Sequence, residues 1–160
     1  MTATPYIELL EGGSSSLVVG VLDPDGEPFA TRAWGITVVA ADPLVLRVLV
    51  PAGSMARIGR HPGDGASFPL ALTAANVESL DSVQVKGTAR DLQAPAPEDL
   101  EHFTAYLDQF LVAINRVDGN ELELLRRWAP NDVVACTVEV DELFDQTPGP
   151  GAGARLERRG

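Results

Sequence analysis

Thiols and imidazoles are nearly absent from this chain: Cys136 is its one cysteine, and His61 and His102 are its two histidines. A lone cysteine excludes an internal disulfide framework and any multi-cysteine zinc site. Two histidines so far apart give no metal-ligand spacing, so no metal is expected. Positive charge is also scarce, with 12 Lys and Arg against 23 Asp and Glu and a net charge of -11. General binding to nucleic acid needs clustered bases that displace counterions, so nucleic acid is not an expected partner. Long apolar runs are missing as well, none approaching the ~20 residues that cross a bilayer. Met1–Pro5 has neither the basic start nor the apolar segment of a secretory signal. A cytoplasmic location without a membrane partner is the expectation.

What is present points to one β-rich domain over residues 1–160, with 1–15 and 145–160 as flexible or extended ends. A chain of this length buries about 70 % of the surface it exposes when unfolded. Charge is unevenly spread: residues 1–27 hold five acids and no base, residues 28–90 six bases against four acids, and the remainder six against fourteen. The bases of the central β region therefore offer a local positive site for a small anion such as a phosphate.

Three apolar runs, Leu17–Leu22, Pro28–Val39 and Leu44–Val50, read as an antiparallel meander, the first two joined by the tight turn of Asp23-Pro24-Asp25-Gly26. Tyr6–Glu11 before them is a helical turn or an edge segment. Arg32 lies mid-strand in phase with Ala30, Trp34 and Ile36, which puts one guanidinium on an otherwise apolar face. After Val50, Ser54 is placed to cap a short helix over Met55–Ile58, where free N–H groups, a hydroxyl and Arg57 suit a phosphate. Phe68–Ala74 is a fourth strand. A fifth begins at Ser82, with Val83, Val85, Gly87 and Ala89 on one face and Gln84, Lys86, Thr88 and Arg90 on the other. Pro97 opens an amphipathic helix marked by Leu100, Phe103, Leu107, Phe110, Leu111, Ile114 and Val117. A shorter helix follows from Glu121 to about Trp128, capped by Asn120. Val133–Leu143 completes six strands, and the Pro- and Gly-filled stretch from Phe144 to Gly153 is a disordered end or a loop laid against something. Arg155–Gly160 is expected to fray. The fold class is mainly β (α+β): a six-stranded antiparallel barrel with a helical pair near the C-terminus.

Each candidate has an ordinary structural explanation beside the functional one. Arg32 is otherwise a surface ion-pair partner, Ser54 with Arg57 a plain helix start, Gln84 a polar residue on a solvated strand face, and Trp34 a core or interface aromatic. His61, Asp64 and Ser54 do not make a catalytic triad, being too local in sequence and lacking a nucleophile elbow. Cys136, in phase with valines, is a small core residue.

Taken together, the first strand pair with its Pro-Asp-Gly turn, Pro28–Arg32, Ser82-Val83-Gln84-Val85-Lys86-Gly87-Thr88-Ala89 and the closing Phe144–Gly153 segment resemble the pyridoxamine 5'-phosphate oxidase-like family, the FMN-binding split β-barrels. The resemblance spans about Leu17 to Leu143. It implies FMN as cofactor, held by Arg32 with Ala33 and Trp34, by Ser54 and Arg57 at the phosphate, and by Gln84 and Lys86 against the ring. Met55-Ala56 stands between Ser54 and Arg57 where members often place the base directly after the hydroxyl. The resemblance further implies a homodimer with the cofactor at the interface. The basic C-terminal segment of the true pyridoxamine phosphate oxidases has no counterpart, which argues against that activity. The expected function is a flavin-dependent oxidoreductase or flavin reductase acting on a small molecule. The alternatives are a non-catalytic binding or interaction protein on the same fold, or a relative using deazaflavin or haem. No catalytic residue is assigned.

Overall fold

The computed structural model describes residues 5–156. Its elements follow the order α1 (Pro5–Glu11), β1 (Ser15–Leu22), β2 (Pro28–Arg32), β3 (Ile36–Ala41), β4 (Leu44–Pro51), α2 (Ala52–Arg57), β5 (Phe68–Asn76), β6 (Ser82–Gln93), α3 (Pro97–Asp118), α4 (Leu122–Arg126) and β7 (Val133–Asp145). All seven strands join one antiparallel sheet in the order β2-β1-β5-β6-β7-β4-β3. Tyr6–Glu11 belongs to a helix, and among helices of the described residues none is long and apolar enough to cross a membrane.

The count of seven corrects the expected six. The second apolar run does not continue as one strand but divides at Ala33-Trp34-Gly35. Gly35 adopts φ +149°, a backbone conformation that L side chains rarely take, and a Cβ there would lie 2.9 Å from His102 Cδ2. The break turns Trp34 into the core. It also ties two distant strands together: Ala33 N donates to Leu17 O of β1 at 3.0 Å, and Trp34 N donates to Leu49 O of β4 at 2.8 Å. The meander is therefore replaced by two hairpins, β1–β2 and β3–β4, on opposite flanks of the sheet. Six inter-strand gaps in a flat sheet would separate β2 from β3 by about 29 Å. The linker from Arg32 to Ile36 spans at most about 14 Å. The sheet must curl until its edges approach, yet β2 and β3 do not pair, so it stays open.

The core fills the inside of the curl with Leu17, Val19, Leu46, Val48, Leu72, Val85, Cys136 and Val138, all almost fully buried. Helix α3 lies across the open seam. At its start Arg47 of β4 donates twice to Asp99, at 2.7 and 2.6 Å, and His102 Nε2 lies 2.8 Å from Ile36 O. Midway, Tyr106 Oη donates to Ser15 O at 2.6 Å, and Phe110 stacks on Tyr106 with ring centroids 5.4 Å apart. His102 thus faces the sheet. Leu100 and Val117, the two ends of the expected apolar stripe, overhang the sheet and are exposed, while Tyr106 joins the buried set.

Two further expectations change. The helix after β4 starts at Ala52, behind Pro51, so Ser54 lies inside it and caps nothing. The helix after Gly119 is only Leu122–Arg126, and Asn120 contributes its carbonyl, which accepts from Asn115 Nδ2 at 2.7 Å. The closing tail is a loop laid against the sheet, with Gln146 N donating to Ser82 O and Leu156 N to Leu143 O. Of the segment expected to fray, Arg155 and Leu156 are described, and residues 157–160 lie outside the described residues, as do residues 1–4.

Candidate functional site

Antiparallel register fixes which side chains share a face, because directly opposed residues point the same way. Arg32 opposes Val18, Val18 opposes Thr73, Thr73 opposes Gln84, and Gln84 opposes Phe144. These five form one row across β2, β1, β5, β6 and β7, on the side away from the core. The next row runs Ala30, Gly20, Ala71, Lys86, Glu142. The face is open, with Val18 42 % exposed and Leu22 51 % exposed. Glycine and alanine make its floor shallow, and a Cβ placed on Gly20 would meet nothing within 4 Å. A groove of about 620 Å³ runs along it, lined by Gly20, Leu22, Ala30, Ala71 and Lys86 among others.

The polar groups of this face retain bonding capacity. Arg32 Nη1 donates to Ser16 Oγ at a long 3.3 Å, and its guanidinium lies 5.0 Å from the Phe110 ring centroid. Stacking on an aromatic leaves the edge N–H groups free to donate. Gln84 Nε2 donates to Thr73 Oγ1 at 3.2 Å, and Lys86 Nζ lies 5.0 Å from the Phe144 ring centroid. Burial pushes the Tyr106 hydroxyl well above its ordinary value, with Arg32 opposing the rise. Tyr106 is thus a neutral hydrogen-bond donor that anchors α3 beside Arg32.

The other sequence candidates lie elsewhere. Ala33 and Trp34 are buried, with exposures of 1 and 3 %. Their backbones serve the seam between β1 and β4. Ser54 and Arg57 face the opposite side of β2: Ser54 Oγ is 2.8 Å from Thr31 Oγ1, and the Arg57 guanidinium is 4.7 Å from the Phe29 ring centroid. In phase, Phe29 and Thr31 belong with the core side of β1, since they oppose Val21 and Val19. Arg32, Gln84 and Lys86 come together on one face, then, while Ser54 and Arg57 form the α2–β2 seam.

Thr73 and Phe144 escaped the sequence reading although both join the row. Phe144 follows a bulge, where the register passes from Lys86–Glu142 to Gly87–Val140 and Asp141 is the extra residue. A bulge resets the inside–outside alternation, which a period-two pattern cannot anticipate. A larger cavity of about 790 Å³ lies between α1, the β5–β6 turn and the tail, with Glu8, Asp81 and Asp145 in its wall and no base among the described residues. That charge suits it poorly to an anionic coenzyme.

Cys136 is fully buried, and burial pushes its thiol up to about 12, with Arg47 opposing. The thiolate is the reactive form. A thiol reagent at pH 8 is expected to label the native protein at least about a hundredfold more slowly than the urea-unfolded chain; equal rates by mass spectrometry would contradict this burial.

No protein-family model and no curated protein matches the chain by sequence. Solved structures do match in shape. HupZ of Group A Streptococcus aligns over 96 % of this chain and 100 % of its own, at 15 % identity and a TM-score of 0.54. HutZ, a haem storage protein of Vibrio cholerae, aligns over 91 and 95 % at 12 % identity and a TM-score of 0.49. A pyridoxamine 5'-phosphate oxidase-related, FMN-binding protein of Nostoc punctiforme aligns over 94 and 88 % at 10 % identity and a TM-score of 0.46. Likeness at such identities speaks for the fold alone. The curled antiparallel sheet, with its edges bridged by three residues and spanned by one helix, shares its fold with HupZ.

Proposed function

We propose that the open face of β2-β1-β5-β6-β7 binds FMN and that the protein is a flavin-dependent oxidoreductase or flavin reductase. The observation that carries the reading is the row from Arg32 to Phe144. In it the Arg32 guanidinium stands three strand spacings, about 14 Å, from a side-chain amide and an ammonium, across a floor of small residues. Arg32 suits the phosphate, Gln84 and Lys86 suit the carbonyl and nitrogen edge of the ring, and Gly20 and Ala71 let a flat ring lie close. When bound, FMN supplies the redox chemistry, and the chain has only to hold, orient and shield it. A second copy of this chain, closing over the same exposed face, completes the site as a homodimer.

A non-catalytic binding protein is the second reading. It is favoured by the position of Ser54 and Arg57, which engage Thr31 and Phe29 and leave Arg32 as the anion ligand of the face.

The test is the visible spectrum of the purified protein, followed by titration with FMN, a deazaflavin and haemin in separate arms. Binding of FMN with turnover of a reduced nicotinamide supports the first reading, and binding without turnover the second. A colourless protein that binds no flavin refutes the first reading, and haemin binding alone reassigns the ligand. Arg32→Ala is expected to weaken FMN by about 1.5–3 kcal/mol, roughly tenfold to a hundredfold, with the fold retained by circular dichroism. Unchanged affinity removes Arg32 from the site.

A further inference from the structure

Lys86 and Glu142 oppose one another directly on β6 and β7, the arrangement in which an ammonium and a carboxylate ordinarily pair. Here each has a different partner. Lys86 Nζ lies over the Phe144 ring, 5.0 Å from its centroid, and Glu142 Oε1 is 3.5 Å from Arg155 Nη2. The reason is the course of the tail. β4 pairs with β7 through Val133–Glu139, which leaves the Leu143–Asp145 edge for another segment. The Pro- and Gly-rich tail turns back onto it: Gly153 N donates to Asp145 O at 2.7 Å, Asp145 N to Ala154 O at 2.9 Å, and Leu156 N to Leu143 O at 2.8 Å. Phe144 and Arg155 become antiparallel bridge partners. Arg155 therefore lands at the end of the row that starts with Arg32, on the same face.

We propose that Arg155 is a positioning residue: by occupying Glu142 it keeps the Lys86 ammonium over Phe144 and available to a ligand on the open face. Take Arg155 away, and Glu142 still directly opposes the Lys86 charge across the ladder. Pairing there draws the ammonium off the ring and neutralises it. The tail thus holds a cation in the site without touching the ligand. The ligand half of this proposal rests on the FMN reading, whereas the side-chain half stands on the ion pair, the register and the ring contact.

Lys86 is the chain's only lysine. Carbon-13 lysine labelling therefore gives a single ε-CH₂ signal in the intact protein, shifted upfield by the Phe144 ring current. Arg155→Ala is expected to move it to the position of a solvated lysine, Arg155→Lys to leave it in place beside the second signal that the new side chain adds, and Arg155→Ala with Glu142→Gln to restore it. Both groups are exposed, so FMN affinity should fall about threefold in Arg155→Ala and recover in the double variant. An unmoved signal in Arg155→Ala overturns the proposal whatever the flavin does. A loss of FMN affinity that Glu142→Gln does not rescue also overturns it, because Arg155 then contacts the ligand itself. If no variant binds FMN, wild type included, yet the signals move as stated, the positioning role stands and the coenzyme reading falls.

Discussion

Asp99→Ala is expected to lower the free energy of unfolding by about 3 kcal/mol at neutral pH, and the midpoint temperature by about 10 °C. Asp99 is 8 % exposed, and its carboxylate serves two elements at once. Its Oδ1 accepts from Arg47 Nε at 2.7 Å, and its Oδ2 accepts from Arg47 Nη2 at 2.6 Å and from Ala96 N at 2.8 Å. The last bond satisfies the backbone N–H of Ala96, the residue that precedes the first turn of α3. Truncation leaves the Arg47 charge unpaired in a partly buried place, and its guanidinium, a quarter exposed, recovers some water, which sets the effect at the lower end for such pairs.

A pH dependence accompanies this. The Arg47 guanidinium holds the Asp99 carboxyl below its ordinary value, with burial opposing, and Arg47 is raised in turn. The unfolded carboxyl titrates near about pH 4, the folded one lower, so around that pH the unfolded chain binds more protons. The stability that Asp99 contributes is therefore fully present above about pH 4 and is lost as the pH falls through the folded value. Urea unfolding of wild type and Asp99→Ala should show a gap that is constant from pH 8 to 5 and narrows below about 4. A gap independent of pH would falsify the ion-pair account.

Gly87→Ala is expected to cost about 3 kcal/mol as well, by a different route. Gly87 stands at the β6–β7 bulge, and a Cβ there would collide with the backbone carbonyl oxygen and carbon of Glu139. Backbone cannot rotate aside as a side-chain end can. Either the two strands separate or the bulge is lost, and losing it moves Glu142 and Phe144 out of register with Lys86 and Gln84. Gly20→Ala is the control, since a Cβ at Gly20 meets nothing within 4 Å. Denaturant melts should show Gly87→Ala far less stable and Gly20→Ala within about 0.5 kcal/mol of wild type. Equal stability of the two variants would contradict the close approach at Gly87.

Much of the fold was legible because its signals are local. The alternation Val83, Val85, Ala89 and Val134, Cys136, Val138, Val140 identified buried strand faces, and every one of these residues is buried. The three- and four-residue spacing of Phe110, Leu111 and Ile114 identified α3, whose first residue is Pro97 as expected. The break after Arg32 was not legible. Trp34 and Ile36 continue an apolar run that any strand tolerates, and only Gly35, packed beneath His102, makes the turn necessary. The candidate site was legible in part for the same reason. Gln84 and Lys86 carry their facing in their own strand parity, whereas Arg32, expected to share a face with Trp34 and Ile36, is parted from those buried residues by the break at Gly35, and Ser54 and Arg57 depend on where a six-residue helix begins.

By itself the sequence determined every strand except the division of the second apolar run, together with the long helix, the acid excess and the outward polar side chains of β6. Those follow from period, propensity and composition, which need no distant partner. Only the tertiary structure decided that β2 and β3 part to opposite edges, that four strands bring Arg32, Thr73, Gln84 and Phe144 into one row, and that the tail returns to set Arg155 against Glu142. Those facts are registers between separate segments, and a register is fixed by the fit of whole faces, not by any residue within one segment.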